Sequence, residues 1–530
     1  MHAVDRADRS VGKLLRLMAD RQPDRPFIHC AGEQWSYGAF NEGANRFAHF
    51  LGELGLRPGD RLAIMLPNSP EFLFAWLGAA KANIAYVPIN TEYRGAILAH
   101  QLSLAEISTM VIGAQFLDRL VEVAAQLPKL KQVIVHGGTS MNIANVQRHD
   151  FAAFATHSSR EPDTRFRHDD AFAISYTSGT TGPSKGALTT NCHVLTFALD
   201  FVKLTEFAPD DRLYTCMPLF HAVASWLGVL ATLSVGAQCL VVERFSPRSY
   251  FDDVRAFGAT IGHTIFSMVP LLLKQPERPD DAKTSLRCIY LAQRNPVFEE
   301  RFNCKIHEVY GQSETGIVTC AWPGETAPPG SCGHANQETY DVRIVDDADN
   351  EVPAGTVGEF VVRPREPFSM MNEYYNMPRQ TVEAFRNLWF HTGDNGRMDE
   401  NGYFYFVDRK KDALRRRGEN ISSFELESVV NQHDKVLECA AIAVPSPLGE
   451  DDVKIVVVLR PNQQLTAQEL WAHCEKNMPR FWIPRYIEFR EKLPRTPTEK
   501  VEKYRLRSGE QAGITHDREK LATAAAGEKK

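Results

Sequence analysis

The sequence of 530 residues lacks the features of several common protein classes. Its ten cysteines show no C-x-x-C spacing, which favours reduced thiols in the cytoplasm over disulfides or zinc ligands. The N-terminal residues lack the apolar run of a signal peptide. No segment is strongly basic, and 60 basic residues are mixed with 66 acidic ones, so nucleic acid is not an expected partner. We therefore expect a cytoplasmic protein.

One uncharged stretch, residues 224–242 (ASWLGVLATLSVGAQCLVV), is nearly long enough to cross a membrane. However, Ser234, Gly236 and Gln238 divide it into a helical part, a turn and a strand-like part. The stretch is therefore predicted to be a buried helix–turn–strand unit, and no membrane span is expected.

Alternating strand-like and helix-like segments indicate the fold class. The apolar run 61–66 (RLAIML) is followed by a helical stretch from Ser69 and by a second strand-like run, 84–90 (IAYVPIN). This order is typical of βαβ units. We predict an α/β fold with mostly parallel sheets covered by helices. The same kind of run recurs at 108–113, 132–137, 171–176 and 237–243.

The chain is too long for one ordinary hydrophobic core, so two or more domains are expected. From about Asp412 the pattern changes to apolar runs at 437–444 and 453–460 and a helix-like segment at 466–477. We predict a large domain at residues 1–411 and a small α+β domain at 412–508. The polar, alanine- and lysine-rich tail, 509–530, is predicted to be disordered.

A loop rich in glycine and hydroxyl side chains, 176–187 (YTSGTTGPSKGA), follows one of the predicted buried strands. A Walker A loop is disfavoured, because Ser184 and Gly186 stand where that motif requires a glycine and a hydroxyl residue. Backbone N–H groups and hydroxyls can still surround a polyphosphate while Lys185 neutralises its charge.

Further polar segments follow in order along the chain. Residues 310–316 (YGQSETG) carry Glu314, whose carboxylate could hold a metal ion on a nucleotide phosphate. Residues 391–394 (HTGD) end in Asp394, which could bind ribose hydroxyls. Taken singly, Asp394 is as well explained as a turn former, and Lys500 in 494–500 (PRTPTEK) as a solvated charge. Their order and context together indicate a nucleotide site.

These segments, with 407–422 (VDRKKDALRRRGENIS), resemble the motifs of the adenylate-forming superfamily of acyl-CoA synthetases, adenylation domains and luciferases. The resemblance extends over nearly the whole chain. Residues 218–221 (PLFH), 404–412 (FYFVDRKKD) and 418–422 (GENIS) look most similar to bacterial acyl-CoA ligases of the carnitine and crotonobetaine type.

The resemblance implies a role for each matching residue. Lys500 is expected to be catalytic with Ser313 and Glu314, and Glu314 is also the expected Mg²⁺ ligand. Lys411 would be the hinge of the small domain. Tentative acyl-pocket residues are His221, Val223 and Trp226, and tentative CoA-tunnel residues are Arg417 and Gly418. The remaining ATP- and AMP-binding residues implied by the resemblance are Thr177, Ser178, Gly179, Thr180, Thr181, Gly182, Lys185, Tyr310, Asp394 and Arg409. Among these, Tyr310 is expected to stack on adenine, and Asp394 and Arg409 are expected to bind the ribose.

The implied reaction uses ATP, Mg²⁺ and CoA. A small-molecule carboxylic acid would attack ATP to give an acyl-adenylate and pyrophosphate, and the CoA thiol would then displace AMP. The small and apolar residues after His221 predict a largely hydrophobic acid. Two alternatives stay open, namely an adenylating enzyme that passes acyl-AMP to a carrier protein or partner ligase, and an inactive nucleotide-binding homologue.

Besides Glu499, which stands where the family has a glycine before the catalytic lysine and would place an anion beside Lys500, three departures from the family pattern bear on these roles. The usual Gly-Gly-Ala-type adenine loop is replaced by 290–300 (YLAQRNPVFEE), and Asn191 stands where a histidine is common. The usual Gly-Gly-Glu-Asn loop is 417–420 (RGEN), so Arg417 replaces a glycine expected to line the tunnel for CoA. This last change is the basis for the adenylation-only alternative.

Overall fold

A computed structural model describes the chain at residues 8–177, 184–265, 268–290, 294–409, 414–416, 419–421, 423–446, 451–494, 501, 503–507 and 514–520. The α-helices are α1 (Val11–Arg21), α2 (Tyr37–Glu53), α3 (Pro70–Lys81), α4 (Gly95–Leu104), α5 (Leu117–Val123), α6 (Asn191–Leu204), α7 (Ala222–Ala224), α8 (Ala231–Val235), α9 (Tyr250–Phe257), α10 (Met268–Leu273), α11 (Pro296–Phe302), α12 (Pro378–Ala384), α13 (Ser423–Val430), α14 (Ala467–Asn477) and α15 (Lys503–Arg507).

The strands follow the same chain order. They are β1 (Pro26–Cys30), β2 (Glu33–Ser36), β3 (Arg61–Met65), β4 (Ala85–Pro88), β5 (Thr109–Gly113), β6 (Gln132–His136), β7 (Gln147–Asp150), β8 (Ala171–Thr177), β9 (Lys185–Thr190), β10 (Arg212–Thr215), β11 (Gln238–Val241), β12 (Ile261–His263), β13 (Cys288–Tyr290), β14 (Lys305–His307), β15 (Val309–Gln312), β16 (Gly316–Cys320), β17 (His334–Ala335), β18 (Tyr340–Val345), β19 (Gly358–Pro364), β20 (Glu373–Tyr374), β21 (Phe390–Met398), β22 (Phe404–Arg409), β23 (Leu414–Arg416), β24 (Glu419–Ile421), β25 (Val436–Pro445), β26 (Asp451–Leu459), β27 (Tyr486–Arg490) and β28 (Thr515–Asp517).

The chain divides into two compact units. The first contains Met1–Thr91, Gln101–Tyr176 and Gly186–Lys410. The second contains Lys411–Lys530 together with Glu92–His100 and Thr177–Lys185.

Two large sheets dominate the first unit. One has the order β14-β13-β12-β10-β11-β1-β2 and is parallel except for the β1–β2 pair. The other has the order β20-β9-β8-β4-β3-β5-β6-β7, and β8, β4, β3, β5, β6 and β7 pair in parallel. The predicted α/β class with mostly parallel, buried sheets is confirmed.

Local sequence signals explain many of these elements. The side chain of Ser69 accepts a hydrogen bond from the backbone N–H of Phe72, and Pro70 follows at the first helical position, so α3 begins where a hydroxyl cap and a proline favour it. Strand β5 is buried on both faces, as expected for an interior strand of a parallel sheet. The strand–helix–strand segments predicted from the apolar runs are therefore present.

The uncharged stretch 224–242 forms a helix, a turn and a strand, as predicted. A π-helix, Ser225–Leu230, joins α7 to α8, and Gly236 ends α8 with a φ of 77°. Strand β11 then enters the interior of the seven-stranded sheet. Within the described residues, every helix is too short or too polar to cross a bilayer.

Two smaller antiparallel sheets complete the first unit and carry much of the candidate site. They have the orders β15-β16-β17 and β18-β19-β21-β22. Their shared core contains Tyr310, Tyr340, Phe360 and Tyr374.

The second unit is built on the sheet β25-β26-β27-β28, with β23 and β24 forming a separate hairpin. Strand β28 falls within the tail 509–530, which the sequence predicts to be disordered. For residues 514–520 that prediction is wrong, because Thr515–Asp517 pair with the edge of β27. Arg485 lies 3.4 Å from Asp517 and 3.0 Å from Glu519. The charged residues of this segment suggested a solvated tail, but here they form ion pairs that hold the segment to the residue just before β27.

All ten cysteines belong to the described residues, and all are buried and free of disulfides. Burial raises the pKa of Cys216, Cys288 and Cys304 to about 12 and that of Cys332 to about 11.

Candidate active site

A tight hairpin between β15 and β16 carries two of the predicted catalytic residues. Ser313 and Glu314 occupy its turn, which is closed by a 3.2 Å bond from the backbone N–H of Gln312 to Oγ1 of Thr315. A Cβ at Gly311 would collide with the carbonyl oxygen of Gly316, so the hairpin requires glycine at this position.

The segment containing Asp394 forms a bulge in β21. Glu359 pairs with Asn395 and Val361 pairs with His391, so β21 carries extra residues between these two pairs. Gly393 has a φ of 75°, a backbone conformation that favours glycine. The bulge therefore takes Asp394 out of the regular ladder.

The hairpin and the bulge meet at the Asp394 carboxylate. Oη of Tyr310 lies 2.9 Å from Oδ2 of Asp394, and Nε2 of Gln312 donates to the same oxygen at 2.7 Å. Nε2 of Gln312 also donates to the carbonyl oxygen of Thr392 at 3.0 Å. The ring of Tyr310 stacks on Phe360 with centroids 4.4 Å apart, so one face of the ring predicted to stack on adenine is covered by protein.

Asp394 and Arg409, both predicted to bind ribose, are direct cross-strand partners in the antiparallel pair β21–β22. Directly opposite residues of an antiparallel pair are close neighbours. The strand register therefore places Asp394 and Arg409 side by side, although they belong to two separate sequence motifs.

Glu314 is buried, with 6 % of its surface exposed, and its carboxylate is held by Tyr374. Oη of Tyr374 lies 3.2 Å from Oε1 of Glu314. Burial, and then the nearby carboxylate, raise the pKa of Tyr374 well above its ordinary value, so the phenol stays protonated and donates.

The described residues contain no group of three or more side chains that could hold a metal ion by themselves. One carboxylate at Glu314 nevertheless fits Mg²⁺, because this ion is commonly bound by one or two carboxylates together with substrate phosphates. Such an ion would neutralise phosphate charge when bound.

The predicted phosphate loop is described only at its two ends. Thr177 is the last residue of β8 and Lys185 is the first residue of β9, and both are half-buried. Ser178, Gly179, Thr180, Thr181 and Gly182 lie outside the described residues.

The three tentative acyl-pocket residues differ in their environment. His221 and Val223 are half-buried at the start of α7, whereas Trp226 is fully buried in the π-helix. Nε1 of Trp226 donates to Oη of Tyr86 at 2.7 Å, and its ring lies 5.9 Å from the ring of His193. Trp226 therefore belongs to the protein core.

Most of the residues expected at the hinge and in the small domain belong to segments that the structure does not describe. Lys411, Arg417, Gly418 and Lys500 lie outside the described residues, as does the side chain of Arg409. In the arginine run 415–417, Arg416 is described and is buried, donating to the carbonyl oxygen of Ile483 at 2.6 Å.

Asn191, the second departure from the family pattern, has a structural contact. Its Oδ1 accepts a hydrogen bond from the backbone N–H of Val11 at 3.0 Å. It therefore satisfies a donor at the start of α1, where Ser10 provides no side-chain cap.

Sequence reasoning missed Gln312 and Tyr374. Gln312 stands inside the motif 310–316, and its amide is long enough to reach a neighbouring carboxylate, so the motif itself contained the signal. Tyr374 lies in β20, sixty residues beyond Glu314, and no local pattern connects the two.

Comparison with known proteins gives matches over most of the chain. The profile of AMP-binding enzymes matches residues 15–375, and that of the AMP-binding enzyme C-terminal domain matches residues 425–500. A crotonobetaine/carnitine–CoA ligase from Salmonella paratyphi B is 34% identical over 91% of this chain and 95% of its own length.

Solved structures agree with this placement. A fatty acyl CoA synthetase from Mycobacterium tuberculosis matches 94% of this chain and 98% of its own, with 27% identity and a TM-score of 0.68. An o-succinylbenzoate CoA synthetase mutant from Bacillus subtilis shares the fold, with a TM-score of 0.82 at 22% identity over 94% of this chain and 99% of its own. With a family profile covering more than half of its length, the chain belongs to the AMP-binding enzymes and, within them, to the adenylate-forming acyl-CoA ligases.

Proposed function

We propose that the protein activates a small carboxylic acid with ATP and transfers the acyl group to CoA. The observation that carries this proposal is the meeting of the β15–β16 hairpin with the β21 bulge. It brings Tyr310, Gln312 and Asp394 into contact at the end of the hairpin that also carries Ser313 and Glu314. These groups suit the ribose and phosphates of one nucleotide.

Each half of the proposed reaction has a distinct chemical demand. In the first, a carboxylate oxygen attacks the α-phosphorus of ATP and pyrophosphate leaves, so preorganised cations and N–H groups must stabilise phosphate charge. We assign this task to Lys185, Ser313 and Lys500. In the second, the CoA thiol attacks the acyl carbonyl carbon and AMP leaves.

The remaining assignments concern nucleotide binding. Asp394 and Arg409 bind the ribose hydroxyls, Tyr310 lies along the adenosine, and Glu314 holds Mg²⁺. The Asp394–Arg409 register and the Tyr310–Asp394 hydrogen bond support these assignments. The loop residues 177–182 bind the β- and γ-phosphates.

For the acid, we propose a largely apolar acyl group. The residues that follow His221, 222–227 (AVASWL), are small or apolar. Burial lowers the pKa of His193, whose ring lies 5.9 Å from that of Trp226 in this segment, to about 3, so it adds no positive charge. The similar ligase from Salmonella is named for crotonobetaine and carnitine, and a cationic acid of that kind is the competing substrate class.

A panel of acids tests both the activity and the substrate class. Carboxylate-dependent exchange of labelled pyrophosphate into ATP measures the first half-reaction, and acyl-CoA formation measures the second. We expect apolar acids to be turned over at least about tenfold faster than trimethylammonium acids of equal length, since burying an unpaired cation in an apolar pocket costs more than burying the matching alkyl group. Faster turnover of the cationic acids would contradict the apolar assignment, and no exchange with any acid would contradict the activity.

A further inference from the structure

A buried carboxylate lies directly behind the Asp394 bulge. Glu359, on β19, has 3 % of its side chain exposed, and its Oε1 accepts the backbone N–H of Gly393 at 3.0 Å. Regular strand pairing is interrupted here, because the ladder passes from the Glu359–Asn395 pair to the Val361–His391 pair. The Glu359 side chain thus accepts a hydrogen bond from a bulge residue.

The other oxygen of the same carboxylate is fixed from two sides. Nη2 of Arg386 donates to Oε2 of Glu359 at 3.1 Å, and Nδ1 of His391 lies 3.2 Å from the same oxygen. Asp349 completes this group, lying 3.4 Å from Nη2 of Arg386. Glu359 therefore contacts the residues immediately before and within the turn that leads to Asp394.

Within the turn, the backbone N–H of Asp394 donates to Oγ1 of Thr392 at 3.1 Å, and this bond does not include Gly393. Gly393 adopts a φ of 75°, and no atom of the described residues lies within 4 Å of the position its Cβ would occupy. Glycine has the greatest backbone freedom, so a turn centred on it needs outside contacts to keep one shape. The bond from Glu359 restrains Gly393 from one side, and Gln312 restrains Thr392 and Asp394 from the other.

We propose that Glu359 is a positioning residue for nucleotide binding, which acts by holding the Gly393 turn so that the Asp394 carboxylate faces the ribose hydroxyls. Arg386 and His391 hold the Glu359 carboxylate in turn. This inference rests on the ribose-binding role of Asp394 given in the proposed function. Glu359 itself does not contact the nucleotide.

The test compares ATP with 2′,3′-dideoxy-ATP, which lacks both ribose hydroxyls. The ratio of their kcat/KM values in pyrophosphate exchange reports the hydroxyl contacts alone. We expect a ratio of about 10 to 100 for the natural enzyme, as for hydrogen bonds to a charged group. Asp394→Ala should bring the ratio close to one.

Glu359→Gln keeps the shape of the side chain but changes its charge and its hydrogen-bonding pattern. We expect it to lower the ratio about tenfold while changing kcat/KM for dideoxy-ATP little. Asp341→Asn is the matched control, because Asp341 is a carboxylate of the same sheet that is paired with Arg363 and Arg365 and has no contact with the bulge among the described residues. This control should keep the natural ratio.

The outcomes separate two possible failures. A natural ratio near one, or an Asp394→Ala variant that keeps the natural ratio, would overturn the ribose assignment and the positioning role with it. If the ratio falls to about one in Asp394→Ala but keeps its natural value in Glu359→Gln, only the positioning role is wrong. Equal losses for both nucleotides in Glu359→Gln also overturn positioning, since they indicate a general structural defect.

A second variant covers the case in which Glu359→Gln does not fold. The side chain of Arg386 is 41 % exposed, so Arg386→Met is expected to fold, which thermal unfolding will check. It should lower the ratio about threefold by releasing Oε2 of Glu359. An unchanged ratio in folded Arg386→Met would overturn the proposal.

Discussion

The phenol of Tyr374 lies 3.2 Å from the carboxylate of Glu314, inside the core shared by the two small antiparallel sheets of the first unit. The two residues come from separate parts of the chain. Glu314 is in the β15–β16 turn, whereas Tyr374 is in β20, which pairs with β9. The phenol therefore links the proposed metal-binding carboxylate to the eight-stranded sheet.

Tyr374→Phe should weaken Mg²⁺–ATP binding about tenfold, since it removes a hydrogen bond to a charged group. Calorimetric titration of ATP with Mg²⁺ and with EDTA measures this directly, and only the titration with Mg²⁺ should change. Tyr37→Phe is the control, because Tyr37 is also fully buried and donates to the carbonyl oxygen of Ala237 at 2.7 Å. An equal loss of ATP affinity in EDTA would argue against a role at the metal.

Lys500→Ala should lower the rate of adenylation by about 100- to 1000-fold, as expected for losing one preorganised charge at the α-phosphate. Thioester formation from supplied acyl-AMP should change much less. The two rates are measured separately, by pyrophosphate exchange and by acyl-CoA release. Lys492→Ala, in the segment just before the 494–500 motif, is the control. Similar losses in both half-reactions would contradict the assignment.

Arg417→Gly should raise the rate of acyl-CoA formation about tenfold and leave acyl-AMP formation unchanged. The reason is steric, since a glycine lets ligand and backbone approach more closely than an arginine does. Acyl-AMP and acyl-CoA are quantified in the same reaction, with Lys435→Ala as a control for loss of a cation from the same domain.

Two results would decide between the acceptors. Rapid acyl-CoA formation by the natural enzyme, unchanged in Arg417→Gly, would show that Arg417 does not obstruct CoA. Accumulation of acyl-AMP by the natural enzyme would support a carrier protein or partner ligase as the acceptor.

Asp200→Asn should make the free energy of unfolding less dependent on pH. Burial raises the pKa of Asp200 to about 7, and the hydrogen bonds from Thr339 and Asn336 only partly oppose this. The unfolded chain loses this proton near its ordinary pKa of 3.8, so the folded state binds more protons between pH 4 and 7. The contribution of Asp200 to the free energy of unfolding therefore falls as pH rises through this range, by on the order of 4 kcal/mol.

Thermal unfolding of the natural protein and Asp200→Asn at pH 5 and pH 7 measures this effect. We expect the variant to lose less stability than the natural protein over this interval. Asp346→Asn is the control, because hydrogen bonds from Asn350 lower the pKa of Asp346 and its contribution is complete by pH 5. Parallel pH profiles for the natural protein and Asp200→Asn would contradict the prediction.

Local sequence signals predicted the elements of the fold well. Ser69 and Pro70 mark the start of α3, and Ser36 caps α2 by accepting the N–H of Ala39. Such signals involve neighbouring residues, so they can be read from the chain directly. The tail was mispredicted at 514–520 because strand pairing with β27 depends on a distant edge that its composition does not reveal.

Only those residues of the candidate site that belong to recognisable sequence motifs could be predicted. Asp394 and Arg409 were named from separate motifs, and the β21–β22 register brings them together. Glu359 and Tyr374 could not be found in this way, because their contacts with Gly393 and Glu314 depend on sheet packing across long separations. Trp226 was expected in the acyl pocket from its position after His221; its full burial and its bond to Tyr86 could not be predicted from that position, and its role in the pocket stays a prediction.

The buried cysteines have a consequence for an enzyme that makes a reactive acyl group. An acyl-adenylate is a mixed anhydride, which thiolates attack readily, and the thiolate is the reactive form of cysteine. Every cysteine of this chain is buried, and the raised pKa values of residues such as Cys216 and Cys288 keep their thiols protonated at neutral pH. The cysteines of the enzyme are thereby protected from acylation, and the activated group is left for an incoming thiol.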